Sequence, residues 1–261
     1  MKNLLKYETY KTLHRTITYV VLVICCAVSL IFTNNDYLSD PIVPGTTNNL
    51  MGIFMNEVAD AGIAILILVG CFMIYSFGTD LNDRCINFEF MSGNSRKRIF
   101  LCKYIYMFLL SGSMIVISLF VGCCKFGINH LVLQVMQNGE YFLRTILLVY
   151  VVSFSIISVC IFFALAFKDT AKTTIVSFVV LFISCYIMAA VANGYVIEGH
   201  MKSAYEITSG WVLLYPPYLW RWMLNPNLNS AQLVFVLIVT GLWSCITFHI
   251  TRCLFCSSEF K

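Results

Sequence analysis

The chain has 261 residues, of which 59% are hydrophobic and 11% charged, and its formal net charge is +4. The mean hydropathy of +0.82 lies far outside the range of soluble globular domains. This composition excludes a soluble fold, gives no reason to expect a nucleic-acid partner, and predicts a protein whose main solvent is the lipid bilayer.

Six apolar stretches are each long enough to cross a bilayer. Because lipid cannot satisfy the backbone, and because the stretches lack the alternation of barrel strands, we predict α-helices. The stretches contain no Asp, Glu, Lys or Arg, and their one histidine is His249. The predicted spans are residues 17–33, 61–79, 104–124, 145–167, 173–194 and 231–251. The fold class is therefore an all-α membrane protein, with residues 1–261 as a single domain.

Basic residues divide unevenly between the two sides that six spans define. One side carries Lys125, Arg144, Lys202 and Arg221, and the opposite side carries all the other Lys and Arg residues. Basic residues near spans are retained in the cytoplasm, so both termini and the loops 80–103 and 168–172 are predicted to be cytoplasmic. The loop 33–60 has acidic residues but no Lys or Arg, is rich in turn-forming residues, and is predicted to face outward as irregular chain until about Leu50.

Residues 2–16 precede the first span and mix apolar with basic side chains. This pattern predicts an N-terminal interfacial helix in the cytoplasmic headgroup layer. The alternative is a basic tail that merely sets the orientation. The leader contains Glu8, and no small-residue cleavage site follows Phe32, so we expect a retained membrane anchor rather than a signal peptide.

A further apolar run lies between the fifth and sixth spans, from Trp211 to Trp220, and is interrupted by Pro216 and Pro217. It is too short to cross a bilayer and is rich in Trp and Tyr. Segments of this kind are typical of re-entrant or interfacial elements. The alternative is an aromatic outer loop that rests on the bilayer.

The chain has 12 cysteines, half of them in the middle of spans, where a thiol behaves as a small hydrophobic group. Cys253 and Cys256 form an isolated C-x-x-C pair without a second pair or a histidine partner. Free thiols are the favoured interpretation, and we expect neither a metal nor a cofactor in this chain.

The most charged segment is residues 80–103, between the second and third spans. A simple connector needs only a few residues. The pattern predicts a short polar helix through Phe90, a break at Gly93, and a helix start at Ser95 that leads into the third span. A helix held beneath the membrane in this way is typical of a docking element.

At this point the sequence resembles a known family, the permease subunits of bacterial type-two ATP-binding-cassette (ABC-2) transporters. Its members have a basic amphipathic leader with an acidic residue spaced like Glu8 and Lys11, and an outer element between spans five and six. They also have a Gly-x-Ser-Arg-x-x-Ile-x-x-x-Lys run after the second span. In this chain the run consists of Gly93, Ser95, Arg96, Ile99 and Lys103. The chain departs from the commonest family pattern by having Cys85-Ile86 in place of a Gly-Thr pair.

The resemblance implies a coupling helix, roughly Asn82 to Met91, that inserts into a cleft on a separate ATPase subunit. It also implies a second permease chain, in a homodimer or a heterodimer. The sequence contains no Gly-x-x-x-x-Gly-Lys-Ser/Thr loop, so ATP and Mg²⁺ are expected on the partner subunit. The residues that the resemblance assigns to coupling are Asp83, Arg84, Asn87, Glu89, Gly93, Ser95 and Arg96.

The expected function is that of a transport subunit in the bacterial cell membrane, exporting a peptide or another hydrophobic or amphiphilic substrate, including an antimicrobial peptide. One alternative is an ion-coupled secondary transporter, which usually relays ions through charged groups inside the membrane. A second alternative is a non-transporting assembly or sensor subunit. A membrane enzyme is disfavoured, because the histidines are scattered and the spans lack paired acids, so no catalytic residues are expected.

Overall fold

The computed structural model describes residues 2–32, 47–82, 85–125, 132, 135–167, 169–197, 214–223 and 229–257. Within these ranges the regular elements are α-helices and no strand occurs, which confirms the predicted all-helical class for this part of the chain. The helices are α1 (Lys2–Leu13), α2 (Thr16–Phe32), α3 (Thr47–Asn82), α4 (Cys85–Met91), α5 (Arg96–Cys124), α6 (Gly139–Phe167), α7 (Thr170–Ile197), α8 (Pro216–Met223) and α9 (Ser230–Ser257).

Several helices are of the kind that crosses a membrane. Among the described residues, four helices are long and apolar enough by themselves, and α1 and α2, which meet at 70°, provide a fifth if the bent pair is one span. In α7 the shorter stretch Thr170–Ser184 is apolar. The four are Ala61–Asn82, Arg96–Cys123, Gly139–Phe167 and Ser230–Ser257. The protein is therefore membrane-embedded, while the six-span topology stays a prediction.

The helices extend beyond the apolar stretches into segments predicted as loops. α3 begins at Thr47, so Asn48 and Asn49, predicted as part of the irregular outer loop, lie in its first turn. At its other end α3 continues to Asn82, and the short helix α4, Cys85–Met91, lies inside the range predicted for the coupling helix. Residues 33–46, half of the predicted outer loop 33–60, lie outside the described part.

The predicted break and restart after α4 are confirmed. Gly93 has a φ of +82°, in the left-handed region that favours glycine, and its N–H donates to the carbonyl of Phe90 at 2.9 Å. Ser95 then precedes α5 in an extended conformation, and its carbonyl accepts from the N–H of Ile99 at 3.1 Å. The chain thus ends α4 and begins α5 within four residues.

The bend between α1 and α2 depends on a local hydrogen bond. The hydroxyl of Thr18 donates to the carbonyl of Thr12 at 2.9 Å, and the N–H of Arg15 donates to the same carbonyl at 3.2 Å. These bonds satisfy a carbonyl that the end of α1 leaves without a helical partner. As a result α1 lies across the bundle and packs against α5 rather than continuing along α2.

The centre of the bundle is α6, which packs against α3, α5, α7, α8 and α9. Its buried Ser153, Ser155 and Ser158 donate to carbonyls of their own helix, so burying these hydroxyls costs little free energy. Glycines allow close packing around it, since a Cβ on Gly112 would lie 2.0 Å from Cδ1 of Tyr150.

The short apolar element before the last helix is packed into the bundle. α8 begins with Pro216 and Pro217, as suits a first helical turn, and its Trp220 is fully buried beside Gly62. α8 contacts α6 and α9. Residues 211–213 of the predicted re-entrant element lie outside the described part of the chain.

Candidate functional site

A buried lysine joins three helices at one end of the bundle. Lys103, in α5, is 3% exposed, and its Nζ donates to Glu8 of α1. The same nitrogen lies 3.0 Å from Oδ2 of Asp80 in α3 and 2.9 Å from Oε1 of Glu89 in α4. An ammonium group carries three N–H donors, and here it is surrounded by three carboxylates.

The three contacts of Lys103 are not equivalent. Glu8 and Asp80 accept directed hydrogen bonds from Nζ. The contact with Glu89 has the distance of an ion pair, but Oε1 of Glu89 has no hydrogen bond of acceptable geometry. Glu89 is therefore the most weakly held of the three carboxylates.

Asp80 is the second residue of the site that pairs with several charged side chains. Its Oδ1 accepts from Lys11, and Nη2 of Arg15 lies 3.0 Å away. The other amino group of Arg15, Nη1, donates to the hydroxyl of Ser76 at 3.1 Å. Three cations thus surround Asp80, and they fix the C-terminal turn of α3 against both α1 and α5.

We refer to these six side chains as the charged cluster: Glu8, Lys11, Arg15, Asp80, Glu89 and Lys103. It contains three acidic and three basic groups, so the formal charges balance. Burying a single charge is very costly, and a buried group of charges is tolerated only when its members pair with one another. The balance explains how these charges lie against the apolar bundle.

Glu89 has a shifted pKa whose causes follow from this geometry. Burial raises the pKa of Glu89, the ammonium of Lys103 lowers it, and the carboxylate of Glu8 raises it again, with the net result above the usual value. Burial and the carboxylate of Glu8 together therefore outweigh the attraction to Lys103.

Helical spacing assembles the α1 side of the site. Glu8, Lys11 and Thr12 follow one another at intervals of three and one residues, which places them on one face of α1, and Arg15 lies in the bend that follows. A small cleft between α1, α3 and α5 borders the charged cluster. At its apolar end it is lined by Met73 and Leu110.

The seven residues predicted to couple to an ATPase separate into three groups. Asp83 and Arg84 lie outside the described residues, and Asn87 is described only as part of the backbone of α4. Gly93 and Ser95 form the turn into α5. Glu89 is buried and faces the bundle, so it has no surface to offer a partner directly.

Arg96, the last of the predicted residues, is exposed and joins two other parts of the chain. Its Nη1 donates to the carbonyl of Cys256 near the end of α9 at 3.0 Å. Its guanidinium also lies 5.6 Å from the ring centroid of Phe90 in α4. Arg96 therefore links α4 to the end of the last helix.

Sequence reasoning missed the charged cluster as a unit. It treated Lys103 and Arg15 as orientation signals and Asp80 as the first residue of a loop. One signal was available: Glu8 is an acidic residue in an otherwise basic leader, at helical spacing from Lys11 and Arg15. The pairing with Asp80 and Lys103 requires knowledge of how α1 folds back on the bundle.

The remaining cysteines and histidines do not assemble a second site in the part of the chain that the structure describes. Within it, no group of three or more His, Cys, Asp or Glu side chains has an arrangement suited to a metal. Cys253 and Cys256 are free thiols on α9, one exposed and one half-buried. Comparison with models of known protein families gives no match for this chain, and comparison with curated proteins gives none either.

Proposed function

We propose that this chain is the membrane-spanning subunit of an ABC-2 type transporter in the bacterial cell membrane. In this proposal a separate ATPase subunit binds ATP and Mg²⁺, and a second permease chain completes the pathway. The chain itself has six spans with both termini in the cytoplasm. By family resemblance the direction is export, and the substrate is a peptide or another hydrophobic or amphiphilic molecule.

The observation that carries the proposal is the attachment of α4. This helix of seven residues lies between two long apolar helices, with Ile86 and Glu89 buried on its inner side. At its end Met91 is 82% exposed, and the basic residues Lys97 and Arg98 nearby are exposed as well. A short helix that is anchored inward and presents an apolar tip outward is suited to insertion into a cleft of a partner.

The exposed face of α1 supports its role as an interfacial helix. Tyr7, Tyr10 and Leu13 are exposed, while Leu4 and Glu8 face the bundle. Tyrosine rings are favoured at the headgroup level, where the ring is in an apolar layer and the hydroxyl is in a wet one. In this proposal α1 lies in the inner leaflet surface.

An ion-coupled secondary transporter is the second candidate, because charged groups are present in the apolar helices after all. Asp80 and Lys103 both lie within helices long enough to span. They are near the helix ends, however, and the acidic and basic charges of the cluster balance one another. This arrangement suits a structural contact between helices better than an ion path through the membrane. Uptake or efflux driven by an ion gradient in vesicles that contain this chain alone would favour the second candidate.

The proposal is tested by capturing the ATPase. The tagged full chain, purified from its host membrane in mild detergent, is expected to bring an ABC-type ATPase with it. Met91→Glu should abolish the capture, because a charge at the tip of α4 opposes insertion into an apolar cleft. The matched control is Met136→Glu, since Met136 is 80% exposed and lies beyond the opposite end of α5.

Two results would contradict the proposal. One is that the unaltered chain, expressed in its host, brings no ATPase with it. The other is that Met91→Glu and Met136→Glu reduce capture equally, which would mean that the effect of the charge is unrelated to α4.

A further inference from the structure

Among the described residues, Glu8 and Glu89 share a single cation, while Asp80 has three. Lys11 and Arg15 pair with Asp80, so Asp80 keeps two cationic partners even when its contact with Lys103 is lost. Within the described part of the chain, the ion pairs of Glu8 and Glu89 are made with Lys103 alone. The ammonium of Lys103 is therefore divided between a carboxylate of α1 and a carboxylate of α4.

We propose that Lys103 is a shared counter-ion that couples α1 and α4 with opposite sign, so that withdrawal of α4 tightens α1 against α5. Two carboxylates that face one ammonium repel each other and compete for its protons. When Glu89 leaves, the repulsion ends and Glu8 receives the full charge of Lys103. The stronger pair then holds α1 more firmly.

The geometry indicates which of the two carboxylates, Glu8 or Glu89, separates from Lys103 more easily. Glu8 accepts a directed hydrogen bond from Nζ, whereas Oε1 of Glu89 forms an ion pair with Nζ without a directed hydrogen bond. The pKa of Glu89 points the same way, because burial and the carboxylate of Glu8 together outweigh the attraction of Lys103 for this group. α4 is thus the loosely held element and α1 the responding one.

In a transporter this coupling assigns Lys103 a positioning role. The inference rests on the proposed function only for the source of the force, namely a partner ATPase that pulls on α4. Withdrawal of α4 would then fix α1, the helix that leads into the first span through the 70° bend. A displacement of α4 beneath the membrane would thereby change how firmly α1 is held against α5. Lys103 would be the side chain that links the two events.

The test is amide hydrogen exchange of the full chain in lipid nanodiscs, at an alkaline pH where Glu89 is ionised. Glu89→Gln should slow exchange in α1 by about fivefold, as expected when one hydrogen bond's worth of free energy is gained. Because coupling between two sites is reciprocal, Glu8→Gln should slow exchange in α4 by a similar factor. Glu140→Gln, at an exposed acidic residue in the first turn of α6, is the matched control and should change neither helix.

Removing the shared cation gives the opposite pattern. Lys103→Met should accelerate exchange in both α1 and α4, by roughly 100-fold, since both carboxylates lose their cation. If this variant does not fold, the two Glu→Gln variants still test the shared counter-ion, because glutamine keeps the shape of the glutamate side chain. Unchanged or faster exchange of α1 in Glu89→Gln would overturn the inference.

The exchange experiment needs no ATPase, so its failure is distinct from failure of the proposed function. A chain that shows the opposite-sign pattern but captures no ATPase would support the shared counter-ion and refute the transporter. A chain that captures an ATPase through Met91 but shows no link between α1 and α4 would leave the transporter in place and overturn the role of Lys103.

Discussion

The charged cluster and the centre of the bundle around α6 bury polar groups in two different ways. Around α6 the buried groups are hydroxyls, and Ser153, Ser155 and Ser158 each donate to a carbonyl of their own helix. In the cluster the buried groups are ions, and each pairs with an ion on another helix. These three serines are thus satisfied within their own helix, whereas α1, α3, α4 and α5 depend on one another.

This difference predicts where a substitution propagates. A lost hydroxyl in α6 affects one helix, whose backbone keeps its own hydrogen bonds. A lost ion in the cluster leaves unpaired charges on neighbouring helices, which is far more costly. Helices that are held together by shared ion pairs in this way can pass a displacement of one helix to the next.

The largest effect is expected from Lys103→Met. Removing one partner of a buried ion pair costs about 3–5 kcal/mol, because it leaves uncompensated charge, here on Glu8 and Glu89. The control is Lys172→Met, whose ion pair with Asp169 is long, at 3.6 Å, and 74% exposed on the lysine side. Exposed pairs contribute about 0–1 kcal/mol. Chemical unfolding in micelles should separate the two variants clearly, and equal losses would show that the cluster is no more than a surface feature.

A smaller loss is expected from crowding the bundle centre with Gly112→Ala. The new Cβ would lie 2.0 Å from Cδ1 of Tyr150, so the whole ring must move, at a cost of about 1–3 kcal/mol. Gly241→Ala is the matched control, because no atom lies within 4 Å of a Cβ there. Alanine is the better helix former by about 0.5–1 kcal/mol, so the control should stabilise α9. If both variants melt at the temperature of the parent protein, the α5–α6 contact is looser than described.

The pH dependence of Glu89→Gln is a more subtle test. The folded-state pKa of Glu89 lies above its usual value, owing first to burial. Such a group contributes stability that is fully present below the unfolded-state pKa and is lost as pH rises through the folded-state pKa. Parent and Glu89→Gln should therefore be equally stable in acid, and the variant should become the more stable one as pH rises through the folded-state pKa of Glu89. Thermal unfolding across this range checks the sign, and a variant that loses stability relative to the parent as pH rises would contradict it.

The smallest effect is expected from Ser158→Ala in α6. Its hydroxyl lies 2.9 Å from Oγ1 of Thr247, but Thr247 also donates to the carbonyl of Trp243 at 2.8 Å. Since Thr247 remains satisfied, the loss should be near the average of about 0.6 kcal/mol for hydrogen bonds between membrane helices. A loss as large as that of Lys103→Met would remove the distinction between the two regions.

The sequence was sufficient to predict the helices and the turn into α5, and it was insufficient to predict the cluster. Apolar runs and the Gly93 and Ser95 signals are local, so they can be read without the fold. The extension of α3 to Asn82 was not predicted, because Asp80 and Asn82 look like loop residues until their partners are known. Glu8 and Lys103 are 95 residues apart, and their pairing follows only from the 70° bend that folds α1 across α5.

Site-specific crosslinking at the tip of α4 tests most directly whether force enters the protein through that helix. A photo-crosslinking amino acid in place of Met91, in the full chain expressed in its host membrane, should form a covalent adduct with an ABC-type ATPase, identified by mass spectrometry. The same group in place of Met136 should form none. Adducts at Met91 with lipid or with unrelated proteins, and never with an ATPase, would contradict the proposed coupling.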